Sequence, residues 1–552
     1  MNSLKIQKNI IRRIFPQSRA DWKLYFAKTI PIVVGEILFC LNGFLDNFMV
    51  TSITGGIDAL TYANTYTGIL YTIFFAIQGI AAMFVGQYYG KKDYDKVKQI
   101  MNLRIWMHLV VALAFSIPSW AAGRQMIQII GNQNINQETL QQGTSYLWLI
   151  TISWIITAFN FNTNMLLNET GHSRFAMISA TLTLLVNASI NAIFILGLKR
   201  PAYYAAVGSI VGAVVCLMSD ELLTYFKNRK IFINLFKLFH ISKVVARQIL
   251  RRSLAMLITI AAMITIPLRT VIWSKSFPDD IVNGSGIGQR WMQINGVTIL
   301  GLVDSLSTVA SAITSVCSSN VSYFVASNLG DDKFEEAEKH SHALKGFHAI
   351  SGFIMSTIML CIVLAIAFSS ATSKGTVDGV YNAFYNKENK DYILSVFSES
   401  PTQNQALIQY INANGIPSPK QFVEYDSWVQ NATEMTKAVF RKTFLLCCFT
   451  FLAFNPIWCW FYTSAALPRA GGRNNIASFT MLGAQWLSFV WLIIIGFAIV
   501  IPLRNTSNSL SLELAYFIFY SIDIGRLAIF EIVAWKTNWK RNITNETEVL
   551  TK

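Results

Sequence analysis

Charge is what this chain has least of. Only 14% of its 552 residues are Asp, Glu, Lys or Arg, against roughly 25% in an ordinary soluble domain, and 53% are hydrophobic. That shortage argues against a soluble protein with buried core helices. The cysteines have no pattern. All seven, at 40, 216, 317, 361, 447, 448 and 459, fall in apolar runs, so a disulfide framework and a metal spacing are both absent and the residues read as small buried hydrophobes. The Gly-rich "NGSGIG" at 283–288 lacks the GK[ST] ending of a phosphate-binding loop. No nucleophile–base pair and no His-rich metal set gathers at one depth, so no catalytic residue, metal or cofactor is expected and an intramembrane enzyme is disfavoured. Residues 1–28 lack the apolar region of a signal peptide.

Long apolar runs are what the chain has instead. Twelve stretches, near 29–52, 62–88, 103–121, 143–167, 175–197, 202–226, 251–274, 296–326, 346–370, 441–467, 476–502 and 512–536, reach the ~18 residues a membrane-crossing helix needs. The net charge of +15 does not imply nucleic acid. About 30 of the 45 Lys and Arg fall in segments on one side of the twelve runs, the pattern that places both termini in the cytoplasm of a cell-membrane protein and gives a grip on anionic lipid. Ile6, Ile10 and Ile14 in the basic segment 1–28 would share one helix face on the inner membrane surface; a disordered tail is the alternative.

The two halves repeat. "GQYYGKKDYDKVKQ" after run 2 matches "FVASNLGDDKFEEAEKH" after run 8, pairing Gly90 with Gly330, Tyr94 with Phe334 and Val97 with Ala337. "LLNETGHSRFAM" after run 4 matches "ALPRAGGRNNIAS" after run 10, pairing Leu167 with Leu467 and Gly171 with Gly471. Lys28 and Arg252 precede helices 1 and 7. The offset grows across 275–295 and 371–440, which are outer insertions. The fold class is therefore an all-α polytopic membrane protein, twelve transmembrane helices in two pseudo-symmetric six-helix lobes around a central cleft. The lobes would span 29–226 and 251–536, joined by a cytoplasmic linker at 227–250, with an outer insertion at 371–440 forming a small cap and a cytoplasmic tail at 537–552.

In this order and setting, the early Pro31 and Asp46 of helix 1, the Gly-Lys-Lys-Asp turn at 90–93, the Leu-x-x-x-Gly turns at 167–171 and 467–471, and "NASINAIFILG" at 187–197 resemble the multidrug and toxic compound extrusion (MATE) family, of the MOP flippase superfamily, over nearly the whole chain. The resemblance implies a two-lobed, cation-coupled exporter.

Asp46, in "FLDNFMV", has no Lys or Arg within ten residues. An ionised group at mid-bilayer costs about 2.5–3.5 kcal/mol or more. Counting from the inner ends of helices 1 and 5, Asp46 and Asn191 reach matching depths of roughly 25 Å. Asn42 shares the Asp46 face and Asn187 shares that of Asn191. The family comparison points to Asp46, Asn187, Asn191 and Ser209 as the coupling site. Some family members carry a second carboxylate at position 191; here it is Asn, which leaves Asp46 as the only ionisable group of the cluster. A carboxylate, two amides and a hydroxyl suit either H+ or Na+. The second half has no copy: Thr270, Leu487 and Trp491 stand at the repeat positions.

Tyr62, Asn64, Tyr66, Trp154, Asp304, Asn455 and Trp458 are candidates for the substrate cleft, the aromatics (with Trp460) holding organic cations; lipid anchoring or core packing is the plainer reading of each aromatic. Asp304 reads either as a cleft acid or as a solvated helix end. Pro31 and Pro456 are gating candidates, Pro456 through a bend. Asp523 and Arg526 should neutralise each other. Asp220 and Glu221 read as solvated at the inner end of helix 6, and His340, His342 and His348 as solvated surface. The function expected is an antiporter, acting as a monomer, that exports cationic amphipathic small molecules in exchange for H+ or Na+. A lipid-linked precursor flippase is the alternative; its pyrophosphate would need several cationic residues in the cleft, where Arg269 is the main one.

Overall fold

The computed structural model describes residues 13–541, apart from 91–92, 132–134, 171, 235–236, 244–245, 247–252, 278–295, 322–323, 326, 331, 370–371, 399–404 and 504–507. Ile6 and Ile10, Gly171, the Lys pair of the 90–93 turn, "NGSGIG", much of the 227–250 linker and most of the 537–552 tail lie outside the described residues.

Among the described residues the chain is helical and without strands. The first lobe holds α1 (Arg19–Met49), α2 (Gly56–Gly90), α3 (Tyr94–Ile130), α4 (Gln137–Glu169), α5 (Ser173–Asn191) and α6 (Ala205–Lys227). The second holds α7 (Ser253–Met263, resumed at Thr265–Ser276), α8 (Gly296–Ala310, resumed at Ala312–Val321), α9 (Phe334–Phe368), α10 (Val423–Ala470), α11 (Asn474–Ile493) and α12 (Leu512–Lys536). Among the described residues, ten helical stretches are long and apolar enough to cross a membrane. The end of the bundle carrying the basic segments is called inner.

Several helix limits differ from the apolar runs. α3, α9 and α10 extend well beyond the hydrophobic stretches that revealed them, because helical hydrogen bonding continues where the side chains turn polar. α10 runs unbroken through Pro456, which removes one backbone donor. A Cβ on Gly352 of α9 would stand 3.1 Å from the Pro456 Cα, so α9 and α10 approach closely at this point. The interruption in a long helix falls instead in α3, where Ala122 leaves helical geometry (φ −139°) four residues after Pro118.

The repeat recurs in detail. α5 and α11 each end in a π-helical stretch, Ala192–Gly197 and Ile494–Val500. His108 on α3 and His348 on α9, 240 positions apart, are both fully buried. Each ring meets the helix that follows, Nδ1 lying 2.7 Å from Asn162 Nδ2 on α4 and 2.8 Å from Thr463 Oγ1 on α10. His348 is thus a core residue, not the surface group expected. Gly472 closes α10 at φ +76°, the left-handed turn that glycine adopts without a Cβ penalty.

The lobes are bonded at the outer end. Asn47 Nδ2 donates to Ser305 Oγ (2.6 Å), Thr298 Oγ1 to Asp58 Oδ1 (2.5 Å) and Ser274 Oγ to the Ile130 carbonyl (2.7 Å). α1 is shared between them. It packs on α5 and along both parts of α8, and at its inner end Asn320 Nδ2 donates to Thr29 Oγ1 (2.8 Å). Below that, Tyr25 bonds His340, and Tyr25 packs among Phe324, Leu344 and Phe347 of the second lobe.

The insertion after α9 forms a cap with its own apolar core of Phe384, Phe397, Ile411, Tyr425 and Val429, built on the first turns of α10. Tyr385 donates to Asp426 (2.5 Å); burial and this bond push the Tyr385 hydroxyl upward in pKa. Gly375 sits against the carbonyls of Thr51 and Ile53, leaving no room for a Cβ, so the cap rests on the α1–α2 connection.

Candidate functional site

Asp46 points from α1 into the first lobe and is 5% exposed. Its Oδ1 accepts from Asn187 Nδ2 (2.9 Å) and Asn191 Nδ2 (2.6 Å), both on α5; its Oδ2 accepts from Ser209 Oγ (3.1 Å) on α6. The second amide proton of Asn187 goes to Asn42 Oδ1 (2.8 Å). The structure therefore brings Asp46, Asn42, Asn187, Asn191 and Ser209 into one cluster. The local reason is register: 42 and 46, and 187 and 191, are one helical turn apart and share faces.

Among the described residues no Lys or Arg pairs with Asp46. A buried carboxylate without a counter-charge is held by the donors around it, and all three here are neutral. Asn187 Oδ1 and Asn191 Oδ1 find no hydrogen-bond partner among the described residues. Both lie against Gly208 on α6, where a Cβ would collide with each oxygen. Gly208→Ala should push the two amides off Asp46. Overpacking of this kind costs about 1–3 kcal/mol; a modest fall in Tm together with at least a tenfold fall in export rate is the expected result. A variant that transports like the parent would show that the amide positions do not matter.

The first-lobe aromatics are packed away. Tyr62 and Trp154 are buried, and so is Asn455 in the second lobe. These three cleft candidates are buried in the structure, which for Tyr62 and Trp154 is the core packing that was the plainer reading. Asn455 Nδ2 bonds the Ala310 carbonyl of α8 (3.2 Å). Tyr66 donates to the Phe115 carbonyl (3.3 Å), and Asn64 accepts from Tyr146 (3.3 Å). Pro31 lies within unbroken α1.

In the second lobe Asp304, on α8, is solvent-exposed. It accepts from Tyr516 (3.3 Å) and interacts electrostatically with Arg269. The Arg269 guanidinium stands 5.0 Å over the Phe519 ring and reaches Gln485 (3.5 Å). Deeper, Arg526 Nη1 bonds Asp523 Oδ1 (2.6 Å), and Trp458 Nε1 bonds Asp523 Oδ2 (2.6 Å). The expected Asp523–Arg526 pair is formed, and Trp458 is tied to it.

Two buried polar sets escaped the sequence reading. Arg104 on α3 is fully buried, its Nε bonded to Asn162 Oδ1 (2.5 Å) and its Nη2 to the Asn162 carbonyl (3.1 Å). Asp220 is also fully buried, not solvated as expected: α4 and α5 cover it. A charged residue inside a predicted span is the signal that marks both.

With this geometry in hand, comparison with known proteins is informative. The MatE family model matches residues 31–193, from within α1 to the end of α5, which contain Asp46, Asn187 and Asn191. No curated protein matches the sequence itself. Among solved structures, an inward-facing multidrug resistance MATE family transporter of the MOP superfamily is similar over 95% of this chain and 100% of its own, at 14% identity and a TM-score of 0.55. The MATE multidrug transporter DinF-BH is similar over 94% and 96% (15% identity, TM-score 0.58). The eukaryotic MATE transporter AtDTX14 is similar over 96% and 99% (13% identity, TM-score 0.58). The fold is the twelve-helix, two-lobed fold of the MATE transporters.

Proposed function

We propose that this multi-pass membrane protein is a MATE-type secondary active antiporter of the cell membrane, with both termini cytoplasmic, that exports cationic amphipathic small molecules in exchange for H+ or Na+. Asp46 is the coupling residue. The observation that carries the reading is a carboxylate buried among neutral donors, at the contact of α1 with α5 and α6, with no cationic partner among the described residues. Such a group accepts a proton or a hard cation directly, and its charge sets how α1 packs on α5. The reserve oxygens of Asn187 and Asn191 suit both ions: an amide that turns over offers its oxygen to a carboxylic O–H or to Na+.

The cycle has two states. With Asp46 ionised, the lobes take up a cationic substrate from the inner side. With Asp46 neutralised from outside, α1 repacks and substrate leaves outward. Asp304, lining open space in the second lobe, adds an acidic surface for a cation. Arg269 beside it is balanced by that acid, which disfavours a pyrophosphate-bearing lipid as cargo. The matches at 14–15% identity support the fold and leave the cargo to experiment.

Purified protein in liposomes, loaded with a fluorescent organic cation and given separate proton and Na+ gradients, tests the reading. One gradient should drive export at least tenfold above the rate without any gradient. Equal rates with and without both gradients would overturn it.

A further inference from the structure

The antiport reading uses one buried carboxylate of the first lobe and leaves another unexplained. Asp220, on the inner part of α6, is fully buried, about 10 Å before the helix ends at Lys227 by the helical rise. Its Oδ2 accepts from Thr163 Oγ1 on α4 (3.2 Å) and from the Cys216 thiol (3.8 Å). Its Oδ1 and the Ser179 hydroxyl, fully buried on the facing α5, make no hydrogen bond of ordinary geometry, although Ser179 and Asn164 lie close enough to Asp220 to interact with it. A lone carboxylate oxygen buried this way carries a desolvation cost, which a proton on that oxygen removes.

Asp220 also lies on the same helix faces as the Asp46 cluster. On α5, Ser179, Thr183, Asn187 and Asn191 follow at one-turn spacing. On α6, Ser209 and Asp220 are about 17 Å apart along the axis. α4 lines the interval with polar side chains held on the backbone, Ser153 Oγ on the Ser209 carbonyl (3.4 Å) and Asn160 Nδ2 on the Ala213 carbonyl (2.9 Å), and the Thr163 hydroxyl, shared between the Asn160 carbonyl (3.0 Å) and Asp220, joins Thr183 and Ser179 of α5 as the hydroxyls that can pass a proton. The titratable groups facing Asp220 are Cys216 and Glu221, both on α6; α4 and α5 present neutral Thr163, Asn164 and Ser179. No basic side chain pairs with Asp220 among the described residues.

We infer that Asp220 is a second proton-binding site, the inner station to which Asp46 hands its proton on the way to the inner face. This rests on Asp46 acting as the coupling group. In the transfer the O–H bond on Asp46 breaks, an O–H bond forms on Asp220 Oδ1, intervening hydroxyls end as they began, and Asp46 is left as the carboxylate that starts the next cycle. Release from Asp220 to water at the inner face completes it.

The test separates exchange from net transport. Substrate exchange between equal pools needs no net proton movement; gradient-driven export does. Asp220→Asn, which keeps the shape and can still accept from Thr163, should retain exchange within about twofold. Its proton-driven export, and the substrate-dependent proton flux read by a trapped pH dye, should fall at least tenfold, and Asp220→Glu should restore part of both. Parent-like net export by Asp220→Asn, or equal loss of exchange and net export in a correctly folded variant, overturns the inference, as does export driven by Na+ and not by protons. Asp46→Asn run in parallel distinguishes the two readings. If it transports normally the antiport reading itself fails; if it is inactive while Asp220→Asn is normal, only the inner station is refuted.

Discussion

Asp46→Asn should reduce gradient-driven export to the rate of protein-free liposomes while leaving the protein folded. The amide is nearly the same size as the carboxylate, so α1, α5 and α6 keep their packing. What it lacks is a group that changes charge. A membrane potential does about 2.3 kcal/mol of work per elementary charge per 100 mV, and that work reaches the lobes only through a residue that binds the coupling ion. The substituted amide also brings N–H donors into a pocket whose nearest groups are the donors of Asn187, Asn191 and Ser209. Its Oδ1 still accepts from Asn187 and Asn191, while the Ser209 hydroxyl turns to accept from its Nδ2, which fixes the site in a neutral arrangement. Rates measured with matched protein amounts, with Tm as a check on folding, decide the matter. A variant retaining half the parent's gradient-driven rate would remove Asp46 from the mechanism.

The largest effect on stability should come from Arg526→Leu. Arg526 and Asp523 are both buried and 2.6 Å apart, and removing one member of such a pair strands the other charge, typically at a cost of about 3–5 kcal/mol. The loss here also removes the guanidinium that lies over the Phe461 ring. Tm in detergent should drop sharply. Asp523→Asn added to Arg526→Leu should recover most of the drop, because no charge is then left unpaired. If the single variant unfolds at the parent's temperature, the pair is not holding α12 in place.

Much of this architecture was readable in the sequence because a bilayer imposes a simple rule: backbone must be helical and side chains apolar over a fixed length. Runs of that length revealed the helices, and the drifting offset revealed two lobes. The Asp46 cluster was readable for a related reason. Polar residues are rare in such runs, so the depths of 46, 187 and 191 could be matched by counting. Asp220 was misread because burial near a helix end depends on which neighbours cover it, and no local pattern encodes that. His348 was misread although its signal was present: 108 and 348 obey the same offset as Gly90 and Gly330. Tyr62 and Trp154 show the opposite limit. An aromatic ring suits a substrate cleft and a packed core equally well, and only the surrounding helices decide.

α1 has its foot on the second lobe and its head held by both, since Asn47, beside Asp46, is bonded to Ser305 of the second. Thr29 is fastened to Asn320 of the second lobe, and Asp46 to Asn187 and Asn191 of the first, about 25 Å farther along the axis. Between them, Gly35 and Gly43 have nothing within 4 Å of where a Cβ would stand, so the shaft is unobstructed at two points. The helix is a ruler as well as a lever. Each residue advances it by about 1.5 Å and turns it by about 100°, so the stretch from 29 to 46 must keep its length for the carboxylate to face α5 while the foot stays seated. Away from Thr29, Asn42 and Asp46, point substitutions at open positions such as 35 and 43 should be tolerated, but insertions and deletions should not, since a change of one residue would turn Asp46 away from every donor that holds it.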